Sequence, residues 1–379
     1  MKTLIMGLGR QGFRILELML EDGFESITVY DRSSKVLEQA QTQFGNRIRI
    51  LNSSPLGEDA PELVLSSFDL LIDALPSVWS YPLLQAATKA GIRAVSVSFL
   101  EEDFMTLDAD ARENGALIVP DCGAAPGFSH LMAGYSVCKL GGASRVVMKL
   151  GAIPKSPLPP FYHSLTWSVE DLMEEYVRPA KVRKNGQVTT EDPFESVQEE
   201  EINGLKLQSF VSDGARSFLT SYPDVPEMEE RTLRWHGHME FMAAIRDAGF
   251  LSHDPVHLES TAVIPIDFLA KVLEKEFGNL DRYDMFIMEI TVESAGGGHV
   301  HFYNMPYNSE NDVFGLVNSV AVTAAETAAM IRDGVIRETG VKPLELLATE
   351  TVFTRMADAH RLHGATVELR SILPWRVTY

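Results

Sequence analysis

The sequence predicts an α/β protein: a doubly wound parallel sheet, an inserted α+β domain, and a C-terminal segment that returns to the first domain. Three observations predict it. From residue 1 to residue 122, short apolar runs alternate with segments of helical spacing, the pattern of strand–helix–strand units laid side by side. Three glycines, Gly7, Gly9 and Gly12, sit where the first run passes into the first helix. After Gly142 the texture shifts to short runs with turn signals, and later to a long small-residue helix.

The elements follow in order. Lys2 to Met6 is a short buried-strand pattern, and "GLGRQG" follows at once. Ile15, Leu16, Met19 and Leu20 repeat at helical spacing until Gly23 ends the helix. "SITVYD" is a second strand closing on Asp31, and "SSKVLEQAQTQF" a second helix with Ser33 or Ser34 as N-cap. "RIRIL" and "FDLLIDALP" are strands, the latter stopped by Pro76. "YPLLQAATKAG" is a helix and "AVSVSF" a strand, and the run Ala116–Val119 ends in the loop "PDCGAAPG". Beyond it, "SRVVMKLGAIP" is strand-like, and "AKVRKNGQVTT" carries the Asn-Gly signature of a tight hairpin. "DMFIMEITVESAGGGHVHFYNMPY" reads as two antiparallel strands, and "FGLVNSVAVTAAETAAMIRDG" as a helix whose Ala and Val face suits packing on a sheet. The predicted organisation is a first domain over 1–125, an α+β domain over 126–311, and a returning helix and tail over 312–379.

At 379 residues the chain exceeds one ordinary core. Its 45% hydrophobic and 23% charged residues are those of a soluble globular protein. A net charge of −20 argues against nucleic acid and against an anionic membrane surface. No apolar run is long enough for a signal peptide or a bilayer span. Two cysteines, Cys122 and Cys138, form no metal or redox spacing, which fits a reducing cytoplasm.

Gly7, Gly9 and Gly12 match G-x-G-x-x-G at a strand-to-helix junction. Gly7 permits the tight turn, Gly9 lets the backbone approach a pyrophosphate, and Gly12 lets helix and strand pack closely. With Arg10 and Gln11 opening the helix, its N-terminal amides face the phosphates. The first domain is therefore expected to be a Rossmann dinucleotide-binding fold. A lone match of this kind is weak; its place after a strand and before a helix strengthens it. Asp31, at the end of the second strand, is expected to bind the ribose hydroxyls and to favour NAD over NADP, a preference that Arg32 softens. The later strand ends, at Ala74, Pro76, Ser98 and Gly123, should line the cofactor.

The second domain supplies polar clusters. "YHSLTWS" holds Tyr162, His163 and Ser164; "RTLRWHGHMEF" holds Thr232, Arg234, His236 and His238; "GGGHVHF" holds His299 and His301. Arg234 is a candidate two-pronged carboxylate binder, against the bland reading of an ion pair. The alternating histidines are more simply one face of a hairpin than a metal site, and no metal is expected. Asp121 is a candidate base or amine-binding carboxylate, or else a turn cap.

In order along the chain, "GLGRQG", "DCGAAPGFSHLMAG", "LTWSVEDLMEEYVRPAKVRKNGQV" and "RTLRWHGHMEFMAAIRDAGF" resemble the saccharopine dehydrogenase-like family, and within it the lysine dehydrogenases more than the saccharopine-forming enzymes. The latter typically carry Asp directly before the Pro-Gly of the loop, where this chain has Ala125. The resemblance implies NAD-dependent oxidative deamination of the lysine ε-amine to an aldehyde that cyclises, with a homodimer or larger homo-oligomer. It implies Arg234 and Thr232 as substrate-binding residues, with Tyr162 and Ser164 beside them, and leaves Asp121, His163 and His238 as competing proton acceptors. Two alternatives stay open: an oxidoreductase of the same fold acting on another amine or imino acid, and a dinucleotide-binding protein without turnover.

Overall fold

The computed structural model describes residues 1–57, 60–163, 169–259, 261–277 and 283–373. The chain divides into two compact units, Met1–Tyr135 with Val317–His363, and Ser136–Leu316 with Gly364–Tyr379.

The first unit is the expected parallel sheet. Strands β1 (Lys2–Met6), β2 (Ser26–Tyr30), β3 (Ile48–Ile50), β4 (Leu70–Asp73), β5 (Arg93–Ser96) and β6 (Leu117–Val119) are joined by the strand Gly340–Val341. Their spatial order is Gly340–Val341, β6, β5, β4, β1, β2, β3. Every neighbouring pair is parallel. The order reverses direction between β1 and β4, which makes the carboxyl ends of those strands a switch point where ligands bind. Register fixes that edge: Met6 pairs Tyr30 and Asp73, Asp73 pairs Ser96, and Val95 pairs Val119. Helices α1 (Arg10–Glu21), α2 (Ser34–Phe44) and α4 (Ser77–Ala90) follow β1, β2 and β4, with the short α3 (Pro61–Leu65) and α5 (Asp108–Glu113) preceding β4 and β6. Leu4, Met6, Leu71, Leu83, Leu84 and Ile118 bury one core between sheet and helices, each worth about 1.5–3 kcal/mol of apolar burial. The small-residue helix Gly315–Arg332 does pack on this sheet's loops, with Val320 against Gly123.

The chain enters the second unit within α6 (Phe128–Leu140). This unit is built on a mixed sheet of β7 (Arg145–Pro154), β8 (Ala180–Lys184), β9 (Gln187–Glu191), β10 (Gln198–Ile202), β11 (Leu205–Ser212), β12 (Glu227–Trp235), β15 (Asp284–Ser294), β16 (Gly297–Pro306) and the strand Thr366–Ile372. A separate ribbon pairs β13 (Val256–Leu258) with β14 (Thr261–Val263). The Asn-Gly signal is realised: Asn185 and Gly186 take φ of 49° and 77° between β8 and β9. Helices α7 (Val169–Val177), α9 (His238–Asp247) and α10 (Pro265–Phe277) cover a second core containing Phe161, Tyr176, Phe210 and Met242; α8 (Arg216–Ser221) lies between β11 and β12.

Two expectations change. The returning segment 312–379 is divided, because residues 366–372 add a strand beside β16 in the second unit. Consequently the hairpin of β15 and β16 has β7 and Thr366–Ile372 on its two sides. Finally, His236 and His238 do not alternate along a strand. β12 stops at Trp235, Gly237 turns with φ of 100°, and His238 begins α9.

Candidate functional site

The glycine turn separates two kinds of glycine. A Cβ on Gly7, whose φ is +89°, would lie 2.5 Å from the Ala74 carbonyl oxygen, and one on Gly12 would lie 2.0 Å from the Gly7 carbonyl oxygen. These two are demanded by the fold itself, which also explains the small side chain at Ala74. Gly9 differs. Its φ of −63° and ψ of −172° suit any residue, and a Cβ there would meet nothing within 4 Å. Neither backbone nor packing requires glycine at this exposed N-cap, and no side chain caps the first-turn amides of α1. Open room beside the first-turn N–H groups and the positive end of a helix dipole fits a pyrophosphate. Arg10 is exposed and Gln11 half-buried at the same end.

Asp31 organises the backbone around the glycine turn. Its Oδ2 accepts from the Leu8 amide at 2.7 Å and its Oδ1 from the Ser33 amide at 2.8 Å. The carboxylate thus ties the glycine turn to the start of α2, both oxygens engaged by backbone. Arg32 beside it is exposed and makes no ion pair among the described residues.

At the carboxyl ends of β4 and β5 lies a buried polar cluster of which sequence reasoning named only Ser98. Asp73 Oδ2 accepts from Ser96 Oγ at 2.7 Å and Oδ1 from the Leu75 amide at 3.1 Å. Ser80 Oγ lies 3.1 Å from Asp73 Oδ1 and 2.6 Å from Ser98 Oγ, which donates to the Leu75 carbonyl at 2.5 Å. Burial pushes the Asp73 carboxyl up to about 6, against the opposing pull of those hydrogen bonds. The signal was an acid ending the apolar run "LLID". Pro76, exposed, caps α4.

The loop after β6 is tightly packed within itself. A Cβ on Gly127 would lie 2.0 Å from the Gly123 carbonyl oxygen. Gly123 is buried under Val320. The close approach between these two glycines lies within the loop itself. The Cys122 amide donates to the Ser96 carbonyl at 2.7 Å, its Sγ lies 3.3 Å from Thr327 Oγ1, and burial pushes its thiol up to about 12. Asp121 is buried and held at φ of 47°. Such a conformation costs on the order of 1–3 kcal/mol and concentrates at functional positions.

The second unit gathers the other candidates. Thr232 and Arg234 are two apart on β12, so they share a face; both are 3% exposed. Each is held by Glu175 of α7: Thr232 Oγ1 donates to Glu175 Oε1 at 2.7 Å and Arg234 Nη2 to Glu175 Oε2 at 2.6 Å. Arg234 Nη1 donates to the Leu233 carbonyl at 3.0 Å, while its buried Nε has no partner among the described residues. His238 is fully committed. Its Nδ1–H donates to the Phe161 carbonyl at 2.6 Å, so its Nε2 accepts from the Tyr176 hydroxyl at 2.7 Å. Burial, then the Arg234 charge, push His238 down to about 3, and burial pushes Tyr176 up to about 12. His163, stacked edge-on against Phe161 and His238, is buried with neither ring nitrogen partnered among the described residues. Burial, then Arg234 and His238, hold it well below the usual histidine range. Tyr162 is half-buried at φ of 54°, with its ring 3.0 Å from where a Gly237 Cβ would stand. Ser164 lies outside the described residues. His236 instead meets Glu199 and Glu240 at the surface, ligand atoms within 4.8 Å of one another and all three exposed. His301 and His299 both reach Ser136 Oγ, at 2.6 and 3.0 Å.

Comparison with known proteins supplies the frame. The family described as saccharopine dehydrogenase NADP binding domain matches residues 3–119, and the saccharopine dehydrogenase C-terminal domain matches residues 123–363. The saccharopine dehydrogenase [NADP(+), L-glutamate-forming] of Pyricularia oryzae is 22% identical over 269 residues, 66% of this chain and 58% of that protein. The Schizosaccharomyces pombe protein of the same name is 25% identical over 266 residues, 65% of this chain and 58% of that protein. The chain thus spans under two thirds of the length of the curated relatives it matches. Apo saccharopine dehydrogenase (L-Glu forming) from Saccharomyces cerevisiae superposes with a TM-score of 0.79 at 16% identity, over 98% of this chain and 99% of that one, and shows the shared fold. The family description and the relatives' names point to NADP, which overturns the expected preference for NAD. No helix among the described residues is long and apolar enough to cross a membrane.

Proposed function

We propose that this chain, which belongs to the saccharopine dehydrogenase family, is an NADP-linked oxidoreductase acting on the carbon–nitrogen bond of an amino-acid-derived amine or imine. The observation that carries the cofactor half is Gly9, a glycine that neither its backbone nor its protein neighbours require and that a pyrophosphate would. The turn Gly7–Gly12 and the N-terminal amides of α1 would hold the pyrophosphate, and exposed Arg32 would meet the 2′-phosphate. NADP, when bound, supplies the site at which hydride is taken up or given back.

The chain's own residues do the rest. Arg234, fixed by Glu175 and with Nε to spare, anchors a substrate carboxylate. His163 stays neutral, and its ring nitrogens are available to hydrogen-bond the substrate amine. His238 is a positioning residue, its nitrogens tied to Phe161 and Tyr176. Asp121 is retained as a candidate acid–base group on the grounds of its burial and unusual backbone.

Within this chemistry a narrower reading is oxidative deamination of the lysine ε-amine. Ala125, which offers no polar group before the Pro-Gly of the loop, favours it over a larger bridged substrate. The test is pyridine-nucleotide absorbance at 340 nm with L-lysine, L-saccharopine, and other amines or oxo-acid–amine pairs, offering NADP and NAD separately. Turnover with lysine alone supports the narrower reading, turnover with another amine the broader one. Nucleotide binding with silence across the panel would remove the oxidoreductase assignment.

A further inference from the structure

The second unit contains an ion pair whose two members differ in reach. Arg234 is 3% exposed at its side chain, whereas Glu175 is 20% exposed. Among the described residues, the groups gathered at the pair are one guanidinium, one carboxylate, two neutral imidazoles in His163 and His238, and the Tyr176 phenol. Each of the charges keeps unused bonding capacity. Arg234 Nε has no partner among the described residues. Glu175 accepts one bond on each oxygen, from Thr232 and Arg234, where a carboxylate offers about four lone-pair sites.

We propose that Glu175 is a specificity-determining residue, and that the Arg234–Glu175 pair reads the head group of an α-amino acid, carboxylate on Arg234 and ammonium on Glu175. This deepens the proposed function and rests on it for the identity of the reaction, though not for the binding. A zwitterion adds no net charge to the pair and meets an opposite charge at both ends. A bare carboxylate or an oxo acid brings an anion close to Glu175 without compensation, which is costly where water is scarce. A bare amine leaves Arg234 unanswered. The pair therefore selects amino acids over oxo acids and simple acids, a discrimination that Arg234 alone would not make. Thr232, bonded to the other Glu175 oxygen, fixes the carboxylate in the plane that meets both partners.

The test is isothermal titration of the full chain at pH 7.5, with NADP absent and present, using L-norleucine, hexanoate and hexylamine. These share a chain length and differ only in head group. Wild type should bind norleucine at least tenfold more tightly than either of the others. Glu175→Gln keeps an oxygen for one partner and removes the charge. It should shrink the norleucine preference over hexanoate by tenfold or more, chiefly by weakening norleucine. Equal binding of norleucine and hexanoate by wild type, which needs no variant, overturns the proposal. So does a variant that weakens both ligands alike. Absence of nucleotide turnover with every amine, alongside the expected head-group preference, would sink the oxidoreductase reading and leave this one standing.

Discussion

Gly9→Ala and Gly12→Ala should separate ligand binding from folding within one six-residue turn. At Gly12 an added Cβ lies 2.0 Å from the Gly7 carbonyl oxygen, a backbone atom that cannot swing aside. Overpacking of this kind costs about 1–3 kcal/mol, and contact with backbone belongs at the upper end. For a domain of this size that is a fall in melting temperature of roughly 4–12 °C. At Gly9 the added methyl meets no protein atom within 4 Å and the backbone is already extended. Stability should stay within about 0.5 kcal/mol, the range of surface changes that break no special feature. The same methyl occupies the room assigned to the pyrophosphate, so NADPH affinity should fall by at least about tenfold, or about 1.4 kcal/mol. Differential scanning calorimetry and NADPH fluorescence titration on the two variants give both numbers. Gly9→Ala binding NADPH as wild type does would refute the argument that this glycine answers to a ligand. A large stability loss there would refute the reading of its surroundings.

Other consequences are as direct. Arg32→Ala should raise the KM for NADP about tenfold while leaving that for NAD within about twofold; equal changes would remove Arg32 from the 2′-phosphate. Asp73 has its carboxyl raised to about 6 from an ordinary ~3.9, so the folded state holds the extra proton. Its stabilising effect is therefore full below pH ~4 and lost as pH rises through about 6, a span of about 3 kcal/mol. Asp73→Asn should flatten that part of the stability curve in urea titrations at pH 4 and 7.5, and a curve parallel to wild type contradicts the buried acid. His163, held well below its usual range, should place no limb near pH 6.5 in kcat/KM; such a limb that disappears in His163→Asn would show the imidazole titrating freely. Native protein should react with one equivalent of a thiol reagent, at exposed Cys138, and with the second at buried Cys122 only on unfolding. Two fast equivalents would contradict the packing against Thr327.

What was legible in the sequence is what local chemistry determines. The parallel sheet could be read because each strand and helix carries its own period, and the glycine triad because a turn, a close crossing and an open cap lie within six residues. The hairpin at Asn185-Gly186 was equally local. What escaped was decided by partners far along the chain. Asp31 follows β2, and its tie to the glycine turn depends on Leu8, 23 residues earlier, whose amide it accepts on Oδ2. Gly237 was legible as a glycine but not as the φ of 100° that ends β12 and turns His238 into the core. Glu175 stood in plain view in "DLMEEY" and drew no notice, because nothing in a helical run of acids distinguishes the one that will meet Arg234 59 residues later. The consequence is chemical. Arg234 read alone is a cation awaiting an anion, whereas Arg234 with Glu175 is a dipole awaiting a zwitterion. The residue that set the expected function was visible in one dimension; the residue that sets its selectivity is defined only by the fold.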